Sequence, residues 1–394
     1  MPRSSRTDSD QPATICFPFA GGIMGGSHIS ALKLIGALDR KKYRPLIVLH
    51  DDRGQFADFL RAEGVAFEHA PTPWHLAPAS RAETIGKMMG APKALASLAR
   101  YLQQREVRIV HTNEGPMHVT WGPAARLAGR KLLWHHRSSP RAKGLRFLAP
   151  LLAHRVASVS RFAAPRPGVF SAAGRCTVVH SPFDTDAPKA DRVVSRTDAI
   201  KELGIAAETP ILGYFGNMVT RKRPLLFVET IAAINRRRPN NPAIGLLFGS
   251  PLEDGLYQAV IARAAELGVS DHIRMMGFRH PSEPWMAACD ALLVTAVDEP
   301  FGRTLIEAML LETPVIAANS GGNPEAIEDG ENGLIVPPDD PESFAEAALA
   351  LIDDPARAKR IAVTAHEQAL SRFGVERHCA QISAIYDQLL ADAA

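Results

Sequence analysis

Residues 298–310 read DEPFGRTLIEAML, a stretch that follows the apolar run ALLVTAV at 291–297. Such a short apolar run with two valines is typical of a buried strand. Pro300 and Gly302 then predict a turn, and TLIEAML has the apolar spacing of a helix. The stretch therefore predicts a strand, a turn and a helix start, with Glu299 at the carboxyl end of the strand and Glu307 inside the helix.

Two acids in these places have two explanations. Free backbone N–H groups at a helix start bind anions and hydroxyls, and carboxylates accept hydrogen bonds well from vicinal hydroxyls. Glu299 and Glu307 could therefore hold two hydroxylated rings at the two ends of one extended ligand. The simpler explanation from spacing alone is a pair of solvated acids, which are common near helix starts.

Length and composition set the class of protein. The chain has 394 residues, of which 46% are apolar and 22% charged, as expected for a soluble globular protein with two cores. It has no apolar run of about 18 residues that would span a membrane. The start, MPRSSRTDSDQPAT, lacks the apolar core of a secretory signal, so residues 1–12 are predicted to be a disordered tail. The four cysteines are widely spaced, which favours a cytoplasmic protein without disulfides: Cys16, Cys176, Cys289 and Cys379.

The net charge of +3 is unevenly distributed. Residues 1–185 hold more than twice as many Lys and Arg as Asp and Glu, whereas residues 186–394 hold more acids than bases. The basic half could face a membrane surface, an acidic glycan or nucleic acid. Nucleic acid is disfavoured because aromatic residues make up only 6% and do not alternate with basic ones. The segment RSSPRAKGLRFLAPLLAHR at 137–155 predicts a helix at the anionic inner face of a membrane, or a connecting helix with a solvated basic face.

Short β-branched runs alternate with helical patterns along the whole chain, which is the rhythm of a parallel sheet covered by helices. The predicted fold is α/β, with two Rossmann-like doubly wound domains facing each other across a cleft and ligands bound at the carboxyl ends of the strands. The predicted segments are a tail at 1–12, a first domain at 13–185, a linker at 186–209, a second domain at 210–374, and a crossover helix at 375–394 that packs back on the first domain.

The segment from DEPFGRTLIEAMLLETPVIAAN through SGGNPEAIEDGENGLIVPPDD resembles the donor site of the retaining GT-B glycosyltransferases of family 4, the group 1 glycosyl transferases. The E-x7-E pair, the TPVIA strand, the GG-x-PE turn and the NG…PPDD tail match over about 50 residues. The resemblance implies that Glu299 contacts the transferred sugar and that Glu307 holds the ribose of the nucleotide. It also implies contacts from the backbone near four residues to sugar or phosphate: Phe301, Gly302, Arg303 and Thr304.

Two loops extend the resemblance. GGIMGGSH at 21–28 departs from the G-x-G-x-x-G nicotinamide fingerprint, but its glycines allow close approach to a phosphate. It is similar to the family's first loop, which implies roles for Gly25 and Gly26 near the donor diphosphate and the acceptor. In GNMVTRKRP at 216–224, Lys222 matches the lysine that neutralises the departing diphosphate. Asn217 replaces the family's usual arginine, and Arg221 is the candidate to compensate.

Four more positions are weaker candidates. His136 in LLWHHR matches the family's histidine near the anomeric centre, although a lone histidine at a strand end is as often structural. His111 and Glu114 in IVHTNEG are candidate acceptor contacts. Phe278 ends MMGF at 275–278, where the family holds the nucleotide base through backbone contacts.

The resemblance implies a retaining transfer of sugar from a nucleotide-sugar to a hydroxyl of a glycan or lipid-linked acceptor, in cell-surface polysaccharide or lipopolysaccharide assembly. The acceptor would attack on the front face, after the cleft closes. We expect no cofactor and no catalytic metal, because the chain lacks an Asp-x-Asp pair at a strand end. A sugar-nucleotide epimerase, a sugar phosphorylase and a non-catalytic glycan-binding relative remain as alternatives.

Overall fold

The computed structural model of the protein describes residues 11–22, 24–76, 81–186 and 189–392, without the side chains of residues 81–89. Most of the predicted tail at 1–12 lies outside the described residues. Two compact units form within the chain: unit 1 contains the described residues up to Pro182 and those from Val375 onward, and unit 2 contains those from Phe183 to Gly374.

Unit 1 is built on a parallel sheet of seven strands in the order β3-β2-β1-β4-β5-β6-β7. The strands are β1 (Ala13–Phe19), β2 (Tyr43–Leu49), β3 (Glu68–His69), β4 (Val107–Thr112), β5 (Lys131–His136), β6 (Arg155–Ser158) and β7 (Cys176–Val178). The helices are α1 (Gly26–Ala37), α2 (Gln55–Ala62), α3 (Arg81–Gln104), α4 (Gly115–Leu127) and α5 (Ala149–Leu152). Because β1 is covered on both faces, its sequence is almost continuously apolar.

Unit 2 has a parallel sheet of six strands in the order β10-β9-β8-β11-β12-β13. The strands are β8 (Ile211–Phe215), β9 (Ile244–Phe248), β10 (Ile273–Gly277), β11 (Ala291–Val294), β12 (Val315–Ala318) and β13 (Leu334–Val336). The helices are α6 (Arg192–Leu203), α7 (Pro224–Arg237), α8 (Leu256–Glu266), α9 (Glu283–Ala288), α10 (Arg303–Leu310), α11 (Pro341–Ile352) and α12 (Pro355–Phe373). The last helix of the chain, α13 (Val375–Ala391), belongs to unit 1.

Both sheets have the doubly wound order, so the predicted fold class is confirmed. The order reverses between β1 and β4 in unit 1 and between β8 and β11 in unit 2. In doubly wound sheets, ligands bind beyond the carboxyl ends of the strands at this point of reversal. The loops that leave these four strands are therefore where a functional site is expected in each unit.

The predicted linker at 186–209 contains helix α6, which belongs to unit 2. Asp191 caps it by accepting hydrogen bonds from the N–H groups of Val193 and Val194, and Gly204 ends it with a left-handed φ of 65°. Arg196 then pairs with Asp290 at 2.8 Å. The helix could not be predicted from the sequence because only Ser195 and Ala199 are buried along it. A helix that buries so few residues has little apolar periodicity.

The predicted interfacial helix at 137–155 is also corrected. Helical structure in this segment is limited to a π-helical turn at Gly144–Leu148 and the adjoining short helix α5, so the helix is much shorter than the predicted one. Helix α3 has 24 residues, whereas strand β3 has only two.

Candidate functional site

The loop after β11 carries Glu299 to the carboxyl edge of the unit 2 sheet. The Glu299 carboxylate accepts from the Arg221 guanidinium at 2.6 Å, and its side chain is 16% exposed. The backbone joins the same two loops, because the Val297 N–H donates to the Arg221 carbonyl at 3.0 Å. Glu299 is thus an ionic partner of Arg221 that still has an accessible face.

Two glycines after β12 hold this loop from the other side. A Cβ on Gly321, whose φ is +62°, would lie 2.5 Å from the backbone N and O of Glu299. A Cβ on Gly322 would lie equally close to the Pro300 carbonyl, and the Gly322 N–H donates to the Glu299 carbonyl at 2.7 Å. The GG pair of the sequence motif is therefore required for backbone packing that fixes the position of Glu299.

Helix α10 begins directly after this loop. Its cap residue is Gly302, which has no side chain to bond the first N–H groups of the helix, so the amides at Arg303 and Thr304 lack a side-chain cap. Glu307 lies one turn further and pairs with Arg303 at 3.3 Å. Phe301 is buried against Phe373, with ring centroids 5.6 Å apart, so only its backbone is suited to a ligand contact.

Lys222 lies across the end of β8. Gly216 has a φ of +148°, and a Cβ there would be 2.3 Å from the Lys222 ammonium nitrogen. The turn that carries the lysine is fixed by the Thr295 hydroxyl, which donates to the Lys222 carbonyl at 2.7 Å. Because β8 and β11 are neighbours at the reversal of strand order, Lys222 and Glu299 stand at the same part of the sheet edge.

Tyr214, on β8, adds a group that the sequence did not suggest. Its phenol is buried, and no hydrogen-bond partner for its hydroxyl is found among the described residues. Burial, with a contribution from the Glu299 carboxylate, raises the Tyr214 pKa above its ordinary range. The hydroxyl therefore stays protonated beside Glu299.

The side chain of Asn217 contacts protein backbone in this structure. Its carbonyl oxygen accepts from the Ser250 N–H at 3.3 Å, in the loop after β9. Arg221, four residues later, is the cation beside Glu299. Two predictions are therefore untested: that Asn217 contacts the nucleotide-sugar donor, and that Arg221 compensates for the arginine that the family usually has at this position.

Phe278 follows the outer strand β10 and is 74% exposed. Gly277 before it has a left-handed φ of 66°, and Arg279 after it is held by Glu202 at 3.0 Å and by the Trp285 ring. The exposed Phe278 backbone is accessible to a base, and the predicted contact stays untested.

In unit 1, Gly25 and Gly26 begin helix α1 at the reversal point between β1 and β4. The Gly25 N–H donates to Nδ1 of His28 at 3.1 Å, and Nε2 of His28 contacts the Glu114 carboxylate. The Glu114 side chain also accepts from the Ala20 N–H at 2.9 Å. Glu114, predicted as an acceptor contact, thus supports the glycine loop, and His28 is a partner that sequence reasoning missed.

The predicted unit 1 histidines are in the core. His111 is fully buried, with Nδ1 bonded to the Tyr386 hydroxyl and Nε2 to His135, so the predicted contact with an acceptor is corrected. His136 is also buried, and its Nε2 donates to the Ser139 carbonyl at 3.0 Å. Burial lowers the His136 pKa, which favours a neutral ring. A catalytic role for His136 stays a prediction.

The described residues contain neither a candidate metal site nor a candidate membrane-spanning helix. No three His, Cys, Asp or Glu side chains among them lie together in a way that could hold a metal ion. None of the helices in the described ranges is both long and apolar enough to cross a membrane.

Several known proteins resemble this chain in sequence or fold. Residues 209–354 match the family described as Glycosyl transferases group 1. The D-inositol 3-phosphate glycosyltransferase of Corynebacterium glutamicum (strain R) is 32% identical over 223 residues, covering 55% of this chain and 53% of that protein. The lipopolysaccharide core biosynthesis glycosyltransferase LpsE of Rhizobium meliloti is 32% identical over 192 residues, covering 48% of this chain and 52% of that protein. The chain spans about half the length of these curated relatives.

Among solved structures, HepE of Anabaena in complex with UDP and glucose has a TM-score of 0.77, at 23% identity, over 95% of this chain and 99% of that one. This likeness shows a shared fold, and with the two doubly wound sheets it defines the chain as a member of the GT-B fold class. The match to the group 1 glycosyl transferases covers the region in which the sequence resembles that family.

Proposed function

We propose that the protein is a retaining glycosyltransferase that moves a sugar from a nucleotide-sugar to a hydroxyl of a glycan or lipid-linked acceptor. One observation carries the proposal: Lys222, Glu299 and the uncapped start of α10 stand together where the unit 2 strand order reverses. This edge offers a cation, carboxylates and the N–H groups of a helix start, which are the groups that a sugar diphosphate requires. LpsE, a relative named for lipopolysaccharide core biosynthesis, supports cell-surface glycan assembly as the setting.

The residues have separate roles in the proposed transfer. Lys222 and the amides at Arg303 and Thr304 offset the charge that develops on the departing diphosphate. Glu307 accepts hydrogen bonds from the ribose, and Glu299, held by Arg221, orients the sugar. The acceptor oxygen bonds to the anomeric carbon on the face that the diphosphate leaves. The acceptor's proton passes to the departing phosphate oxygen, so no enzyme nucleophile is needed.

The first experiment identifies the nucleotide. HepE is described in complexes with UDP and UDP-glucose, which makes UDP the first candidate. Thermal unfolding would be followed with UDP, GDP, ADP and their sugar conjugates. A ligand that binds only the folded protein, present at a concentration a hundred times its Kd, raises the free energy of unfolding by about 2.7 kcal/mol. We expect one nucleotide to raise the Tm, and we expect Glu307→Ala to abolish most of that rise.

The matched control is Glu346→Ala. Glu346 is an exposed helical glutamate on α11 that also pairs with an arginine, Arg237, at 3.4 Å. It should leave the nucleotide-induced rise unchanged. An equal loss of the rise in both variants, or no rise with any nucleotide in the unaltered protein, would reject the proposed donor site.

Product analysis separates the rival functions. With a bound nucleotide-sugar, a transferase forms a new glycoside and releases the nucleoside diphosphate. An epimerase would return an altered nucleotide-sugar, a phosphorylase would yield a sugar phosphate, and a binding protein would return the donor unchanged. We expect transfer to continue after EDTA treatment because Lys222 supplies the positive charge. A loss of transfer that Mg²⁺ restores would overturn the metal-free proposal.

We also propose that unit 1 contacts an anionic membrane surface. Leu127, Phe147 and Leu151 are each more than half exposed, and Arg146 stacks on the Phe147 ring at 5.3 Å. Arg126 joins α4 to α5 by donating to the Leu151 carbonyl at 3.1 Å, so Leu151 lies close to the end of α4 that carries Leu127. Apolar side chains surrounded by cations fit the boundary of an anionic leaflet.

Vesicle sedimentation tests the membrane contact. We expect binding to vesicles of phosphatidylglycerol and phosphatidylcholine at low salt, and weaker binding to phosphatidylcholine alone. The double variant Phe147→Ser with Leu151→Ser should reduce it. The control is Val193→Ser, which removes an equally exposed apolar side chain from unit 2. Equal recovery with both vesicle types would contradict the proposal.

A further inference from the structure

The glycine loop of unit 1 is described at residues 20–22 and 24–25, and residues 20–22 are packed tightly on their outer side. Gly21 has a φ of +94°, and a Cβ there would lie 1.9 Å from the Asp51 carbonyl. A Cβ on Gly54 would lie 2.4 Å from the Gly21 carbonyl. Two backbone hydrogen bonds join the same segments, from Asp51 N–H to Ala20 at 2.9 Å and from Gln55 N–H to Gly22 at 3.0 Å. The first half of the loop is therefore held by backbone contacts that only glycine permits.

The two ends of the loop are joined on the inner side by two side chains. Nδ1 of His28 accepts from the Gly25 N–H, and Nε2 of the same ring contacts one Glu114 carboxylate oxygen. The other Glu114 oxygen accepts from the Ala20 N–H. One imidazole and one carboxylate thus connect the residue that leaves β1 to the residue that caps α1. The pair is named the His28–Glu114 bridge below.

The bridge is shielded from water and spans the ligand-binding edge of the sheet. The His28 ring lies 4.5 Å from the Phe56 ring and 5.6 Å from the Phe19 ring, and both bridge side chains are largely buried. Glu114 is the cap residue of α4, directly after β4, whereas the loop follows β1. The bridge therefore links the two loops that diverge at the reversal point of unit 1.

We infer that His28 and Glu114 are positioning residues for the proposed transfer, because the bridge takes up the Gly25 N–H and fixes the neighbouring Gly26 amide against the substrate's anionic or hydroxyl groups. This inference rests on the proposed function. It assigns Glu114 to the loop rather than to the acceptor, and it gives His28 a role in binding geometry. Buried hydrogen bonds that orient a binding loop reduce the freedom that must be lost when substrate binds.

The experiment compares five variants of the full chain, one of which is the double variant that combines Glu114→Ala with His28→Ala. Glu114→Ala removes the carboxylate and His28→Ala removes the ring. His28→Asn keeps an acceptor near Gly25 but is too short for Glu114. His154→Ala is the control. His154 is another histidine of unit 1, but it accepts from the Leu132 N–H at 3.0 Å, and its hydrogen bonds lie away from the glycine loop. Hydrogen exchange at residues 19–30 and UDP release from UDP-glucose are measured, with UDP binding followed by thermal shift.

We expect Glu114→Ala and His28→Ala each to speed amide exchange in the loop at least tenfold. The double variant should be no worse than either alone, since the bridge acts as one unit. His28→Asn should restore protection at Gly25 but not at Ala20. UDP release should fall about tenfold or more, while UDP still raises the Tm as before. His154→Ala should leave loop exchange unchanged.

Two results would overturn the inference. Unchanged loop exchange in both alanine variants would show that the backbone contacts to residues 51–54 suffice. Faster exchange with unchanged UDP release would show that the bridge is structural only. If no nucleotide of the thermal-shift series raises the Tm of the unaltered protein, the proposed function fails instead, and loop exchange still decides whether the bridge orders the loop.

Discussion

The two units share the order of their central strands but differ in what happens to polar residues at the strand ends. In unit 2, Glu299 and Lys222 follow the central strands and remain at the edge of the sheet. In unit 1, His111 on β4 and His135 on β5 are fully buried. The end of a central strand therefore marks a possible site, while the elements packed beyond it decide whether the side chain reaches substrate.

Helix α13 accounts for the difference. Tyr386 on this helix bonds to His111, and His378 on the same helix contacts the His180 carbonyl at 2.7 Å. Burial lowers the pKa of both His111 and His135 well below the ordinary histidine value, so the rings are neutral hydrogen-bonding groups of the core. A segment from the far end of the chain has covered the strand ends that sequence reasoning left open.

The largest effect that the comparison predicts is in unit 2. Lys222→Ala should lower sugar transfer by about 100- to 1000-fold, the usual range for losing one group that stabilises developing charge. The Tm of the Lys222→Ala variant should change little, because the Lys222 ammonium lies over the backbone of Gly216 at the sheet edge. Transfer rate and Tm are measured beside Lys201→Ala, a control at an exposed lysine of α6. A large fall in Tm with normal transfer would show that Lys222 stabilises the fold, as the buried histidines of unit 1 do, and does not act in the transfer.

The sequence was sufficient for most of unit 2 and for less of unit 1. The pattern from Glu299 to Glu307, with the glycine pair at 321–322, depends on local turns and helix starts, and such features can be predicted from neighbouring residues. The bridge from His28 to Glu114 joins residues far apart in sequence. The burial of His111 depends on Tyr386, also distant in the chain. Contacts of this kind have no local periodicity, so a single sequence does not reveal them.

The second effect is on the stability of unit 1. His111→Ala leaves the buried Tyr386 hydroxyl without its partner, and an unsatisfied buried group costs about 1–3 kcal/mol. We expect the Tm to fall by several degrees, with transfer per folded molecule nearly unchanged. His272→Ala in unit 2 is the control, because that ring is partly exposed. A loss of transfer without a loss of stability would return His111 to the list of acceptor contacts.

The third prediction concerns how the stability of each unit depends on pH. Burial lowers the folded-state pKa of His378 to about 3, and the pKa values of His111, His118 and His135 are also lowered. The unfolded chain then binds more protons than the folded one, so stability falls as the pH drops below about 6.5. A histidine with a folded pKa near 3 loses about 2 kcal/mol of stabilisation between pH 7 and pH 5.

Unit 1 should therefore open before unit 2 between pH 6.5 and pH 5. Hydrogen-exchange protection, corrected for intrinsic rates, would be compared for peptides of β4 and β5 in unit 1 and of β8 and β11 in unit 2. The unit 2 carboxylates with lowered pKa values, Glu312 and Asp340, add their own loss of stability only at lower pH. Earlier loss of protection in unit 2 would contradict the assignment of the acid-sensitive core.

The smallest effect concerns the departure from the family pattern at Asn217. Asn217→Arg should cost little stability, since it removes only a 3.3 Å hydrogen bond from the Ser250 N–H. A half-exposed cation adds at most about 1 kcal/mol, so UDP should bind up to about fivefold more tightly. Asn217→Ala is the control that removes the hydrogen bond without adding charge. If Arg221 already supplies the missing contact, Arg221→Ala should weaken UDP binding more in the natural protein than in the Asn217→Arg variant, and equal losses in the two would show that Arg221 serves only to hold Glu299.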